Sequence, residues 1–180
     1  MTELLADLDV LMKPDLDLSG LSLEGVPFGA SARSVPRERI RWADGMPWIR
    51  KQFCRGVGAP TQYFDEHGCE IPLASNIIHV VAANGTLAWD GASFAVVDGL
   101  VQGFAITGER PRRHFSRLRT HDDFIAAFGA GERVIESEVE GDLMGYWHHY
   151  PRSPKNVYWD EWDHCVGLIS LGEFVRRGER

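Results

Sequence analysis

The chain has 180 residues, 44% of them hydrophobic and 25% charged, with a formal net charge of −7. That length suits a single domain over 1–180 with a core of its own, so no metal or disulfide staple is required. The acidic balance argues against general nucleic-acid binding, and no run approaches the roughly 18 apolar residues of a membrane span.

At the N-terminus, Leu4, Leu5, Leu8, Leu11 and Met12 fall at helix-face intervals, which predicts a helix over Thr2–Met12 with Thr2 as N-cap and Pro14 as its stop. This acidic start lacks the features of a secretory signal, and the expected compartment is the cytoplasm. The segment Leu16–Phe28 reads as extended. Ser34 before Pro36 resembles an N-cap with an early-turn proline, predicting a short helix through Ile40. Trp42–Gly58 reads as a loop with a helical turn near Trp48–Phe53. YFDEHGCEIPL suggests an irregular hairpin. Asn76–Ile106 reads as an antiparallel meander, with turns at Asn84-Gly85 and Asp98-Gly99. GERPRRHFSRLRT reads as a polar basic loop.

Thr120 with Asp123 three residues later forms a capping-box pattern, Phe124, Ile125 and Phe128 supply an apolar face, and Gly129 ends the helix. Val134–Val139 alternates as a half-buried strand with acids facing water. DLMGYWHHY, NVYWDEW and HCVGLIS read as three more strands. The expected class is α+β: an antiparallel sheet of hairpins and meanders with a few short helices, in two loosely similar halves, 16–106 and 107–175.

Charge is unevenly spread. Met1–Ala30 and Glu136–Asp163 each carry −5, while arginines cluster at 33–41 and 110–119. These runs are either solvated faces with internal ion pairs or an acidic face steering a basic partner. Cys54, Cys69 and Cys165 give no disulfide framework and no paired metal spacing, and each reads as a small apolar residue rather than a nucleophile. The chain has no glycine-rich phosphate loop, nucleophile elbow, paired-histidine zinc motif or calcium loop.

The stretch YWDEWDHC, Tyr158–Cys165, follows closely on YWHHY, Tyr146–Tyr150. His149, Asp163 and His164, drawn from neighbouring hairpins, are a donor set that zinc accepts. Adjacent strand residues point to opposite faces, so His148 and His149 do not serve one site. Glu161 between two tryptophans is an acid of the glycosidase type without a located partner. Trp147, His149, Trp159, Asp160, Glu161, Trp162 and Asp163 together fit a recognition surface in which aromatics anchor and acids steer. Alternation requires some of these aromatics to be core and leaves at least one tryptophan partly exposed.

The opening GVPFGAS, a short helix and strands ending in a DG turn before VQGFAI, with THDDFIAAFG before further strands, resemble small acidic bacterial immunity proteins of toxin systems. The resemblance covers about half the chain and carries over no residue's role. It implies a cytoplasmic inhibitor that blocks a toxin by binding. The expectation is therefore a protein-binding module without cofactor, engaging a basic protein partner. A small-ligand or metal-dependent enzyme using the His, Asp and Glu of the C-terminal region is the alternative.

Overall fold

A computed structural model describes residues 1–36, 39, 84–89 and 91–175 with their side chains, and the backbone of Trp42–Asp44, Arg50–Gln52, Gln62–Phe64, Glu70–Ile71 and 176–178. The class is α+β. A small mixed sheet joins β1 (Thr2–Glu3), β2 (Leu21–Leu23) and β3 (Val26–Pro27), and a second small sheet joins β5 (Arg50–Gln52), β6 (Gln62–Phe64) and β7 (Glu70–Ile71). The large sheet is antiparallel. It contains β4 (Trp42–Asp44), β8 (Asn84–Trp89), β9 (Ala92–Val97), β10 (Leu100–Thr107), β11 (Arg133–Val139), β12 (Asp142–Tyr150), β13 (Lys155–Asp160) and β14 (Cys165–Gly172). Their order is β11-β12-β13-β14-β10-β9-β8-β4. Two meanders thus meet where β10 pairs with β14. Helices α1 (Glu109–His114) and α2 (His121–Phe128) lie between them in the chain, and α3 (Glu173–Gly178) follows β14. No helix among the described residues is long and apolar enough to cross a membrane.

One face of the large sheet forms the core. Phe94, Phe104, Ile106, Val157, Trp159, Val166, Ile169 and Leu171 are buried there, together with Phe115, Phe124 and Phe128 and the N-terminal leucines 4, 8 and 11. The GVPFGAS segment runs alongside β10: the Gly29 amide donates to Val101 O, and the Phe28 ring meets Phe104 edge-on at 5.8 Å.

Tight turns set the register. Asp98-Gly99, at φ 50° and 77°, links β9 to β10 as expected, and Glu24-Gly25 and Glu140-Gly141 repeat the two positive φ angles. Such angles give the turn whose twist matches that of paired strands. Asn84-Gly85 is not a turn: Asn84 opens β8 opposite Val97, and its Oδ1 accepts from the Asp98 amide.

Other elements differ from expectation as well. The N-terminal helix is replaced by β1 and a 3-10 turn over Leu8–Met12. Thr2 and Glu3 pair with Leu21 and Ser22, and the Glu3 carboxylate accepts from the Glu24 and Gly25 amides, so the start of the chain is held extended. Leu16–Phe28 includes a 3-10 turn at Leu18–Gly20 before its strands. Ser31, not Ser34, caps the next turn, Ala32–Ser34, and the helix expected through Ile40 lies largely outside the described residues. Arg50–Gln52 is strand rather than helical turn, and residues 76–83 of the first meander lie outside the described residues. The basic loop contains α1, with Pro111 in its first turn, where a missing N–H costs nothing. The capping box of α2 is complete, with Thr120 and Asp123 bonding each other's backbone. β11 is an edge strand and not half-buried: Val134, Ile135 and Val139 are exposed.

Candidate functional site

Strand register places two turns at one end of the sheet. β12 leaves the Glu140-Gly141 turn with Asp142, and Gly145 further along it faces Asp160, the last residue of β13. The turn from β13 to β14 therefore lies beside the β11–β12 turn. Asp160 Oδ1 accepts from the amides of Trp162 and Asp163 at 3.0 and 2.9 Å, which fixes the turn. The Glu161 amide donates to Met144 O at 3.0 Å and fastens the turn to β12, and His164 completes it at φ 48°.

This geometry separates the two tryptophans of YWDEW. Trp159 points into the core at 0% exposure, beneath Phe124 and His121, and its Nε1 donates to Glu161 Oε2 at 2.8 Å. Trp159 is thus a core residue, a correction to its expected place in the surface. Trp162 is 70% exposed. Asp163 is exposed, and Asp160 and Glu161 are half-buried. Trp147 and His149 lie on the sheet face opposite the core. Trp147 is half-buried against Tyr158 with ring centroids 5.0 Å apart, and His149 is buried with its Nδ1 2.9 Å from Asn156 Oδ1.

The donor set His149, Asp163 and His164 is not assembled. His149 pairs with Asn156, four residues along β13 from Asp160, a separation of about 13 Å at the usual strand rise. Asp160, Asp163 and Cys165 instead bring one ligand atom each within 4.8 Å of one another. Arg112 of α1 already supplies positive charge there, 2.9 Å from Asp163 and 3.8 Å from Asp160. Burial, ahead of the neighbouring acids, pushes the Cys165 thiol up despite Arg112, the opposite of what a nucleophile needs. Cys54 and Cys69 lie outside the described residues.

The two acidic runs have different fates. In the N-terminal run, Asp9 binds Arg117 and His114, Glu24 binds Arg39 and Arg110, Glu3 caps the Glu24-Gly25 turn, and Asp17 binds Ser19. The hydrogen bond from Arg117, and then that from His114, holds the Asp9 carboxyl below the usual range. In the C-terminal run, Asp160 and Asp163 face Arg112, but Glu136, Glu138, Glu140 and Asp142 are exposed, and none of these four makes an ion pair with another described residue. Edge strand β11 adds exposed Val139, paired with Asp142 next to the turn, to this surface. The sequence showed both runs but not which of their acids the arginines neutralise, since those pairings span up to 108 positions.

Compared with known proteins, the chain matches no family model, no curated protein and no solved structure.

Proposed function

We infer that the protein is a binding module that regulates a basic protein partner through the end of its sheet formed by the β11–β12 and β13–β14 turns. The observation that carries this reading is Trp162, exposed on a turn fixed by hydrogen bonds at the same end of the sheet as Glu138, Glu140 and Asp142, which make no ion pair with another described residue. An exposed aromatic on a fixed backbone contributes buried area at little entropic cost when a partner covers it. Unneutralised acids raise the association rate with a basic surface and disfavour acidic partners. The acids of β11 also oppose edge-to-edge pairing of two copies, which favours a partner of opposite charge.

In its most specific form the module is a cytoplasmic inhibitor of the immunity type, its acids pairing with the basic active-site residues of a toxin. The contact set is Trp162, Asp163 and Glu161 with Glu138, Glu140 and Asp142. Asp160 orders the turn, and Trp159 supports it from the core.

Binding kinetics with the isolated partner test this. Trp162→Ser is expected to weaken affinity at least tenfold through faster dissociation, and Glu138→Lys with Asp142→Lys to slow association and flatten its salt dependence. Affinity and rates unchanged in both variants reject the surface.

A further inference from the structure

The sheet face opposite the core holds a cleft of about 470 Å³ that lies apart from the acidic end. Its walls include Trp147, Leu168 and Phe174 from β12, β14 and α3. Its polar residues form one row across three strands: His149 pairs with Asn156, and Asn156 pairs with Ser170. Apolar walls around a few convergent polar groups are the usual make-up of a small-molecule site, and the volume is in the usual range.

The row is incomplete. His149 is 5% exposed, and its Nδ1 lies 2.9 Å from Asn156 Oδ1. An amide oxygen only accepts, so Nδ1 carries a proton, and in the neutral imidazole Nε2 is then the acceptor. That Nε2 is buried and has no hydrogen-bond partner among the described residues. A buried acceptor without a donor is unfavourable, and a donor entering through the cleft relieves it. Apart from His149, the described side chains lining the cleft are uncharged, so the site holds no fixed charge to balance an ion.

We propose that this cleft binds a small uncharged aromatic molecule bearing one hydrogen-bond donor, its ring between Trp147 and Phe174 and its donor on His149 Nε2. The simplest such ligand is a phenol. The inference is independent of the acidic surface, and either reading stands if the other fails.

Phenol, anisole and benzoate are the probes, titrated into the full chain and followed by the His149 ring-nitrogen and Trp147 indole NMR signals. Phenol is expected to shift both signals saturably. Anisole, which keeps the ring and loses the donor, is expected to bind about tenfold more weakly, and benzoate to bind more weakly than phenol. His149→Phe is expected to abolish the preference for phenol over anisole. Leu168→Trp, at a half-buried wall position, is expected to remove binding while the protein stays folded, which keeps the test valid if His149→Phe fails to fold. Equal binding of phenol and anisole to the wild type, shifts that map elsewhere, or no saturable shift with phenol each overturn the proposal.

Discussion

His148 makes the fold sensitive to mild acid. It lies on the core face of β12 at 1% exposure, its Nε2 2.8 Å from His121 Nε2 and its ring 4.7 Å from Phe124. The contact needs one imidazole nitrogen to donate and the other to accept, so the two rings are not protonated together. Burial first, then the neighbouring His121 and His149, lowers the His148 pKa from 6.5 to about 4. Between those values the unfolded chain binds more protons than the folded one, so stability is lost as pH falls through this window. The shift corresponds to about 2 kcal/mol lost between pH 7 and pH 5, approaching about 3 kcal/mol below pH 4. Urea unfolding at these two pH values, on wild type and on His148→Phe, measures it. The paired carboxylates lose their contribution mainly below about pH 4 and are common to both proteins, so they largely cancel in the comparison. The variant is expected to lose about 2 kcal/mol less than the wild type over this interval. Equal losses in both proteins refute the reasoning.

Lys155 predicts a dependence of the same sign at alkaline pH. It is fully buried, its Nζ donates to Leu11 O and Lys13 O, and burial lowers its pKa from 10.5 to about 8. The unfolded chain binds more protons between those values, so stability is expected to rise by about 2 kcal/mol from pH 7.5 to pH 9.5. Urea unfolding of Lys155→Met should show no such rise, and an equal rise in the variant contradicts the assignment. Gly145 is required by packing: a Cβ there would lie 2.1 Å from Trp159 O and 2.7 Å from the Tyr158 hydroxyl. Gly145→Ala is expected to cost at least ~2 kcal/mol in urea unfolding, because relief means parting β12 from β13, and a loss under ~0.5 kcal/mol contradicts this.

What the sequence made legible was local. The Asp98-Gly99 turn, the Thr120–Asp123 capping box and the three C-terminal strands each rest on residues a few positions apart, and all three are found. The N-terminal helix failed because its leucine spacing is equally satisfied by a short strand and a 3-10 turn, once Glu3 and β2 hold the backbone extended. Asn84-Gly85 failed because Gly91, at φ 71°, ends the hairpin connection instead and leaves Asn84 free to pair with Val97. Within YWDEWDHC, alternation separates neighbours but does not say which residues face the core. The Asp160 turn decides that Trp159 packs inward and Trp162 stays outside. His149 and Asp163 seemed available to one site only because strand register is invisible in the sequence.

The most direct test of the binding surface is stoichiometric capture from extract of the source organism. Wild type is compared with a variant carrying Trp162→Ser, Glu138→Lys and Asp142→Lys, with Trp159 and Glu161 left in place so that the core is undisturbed. The account predicts one basic protein retained by the wild type, released by salt and absent from the folded variant. The same protein retained equally by both contradicts it.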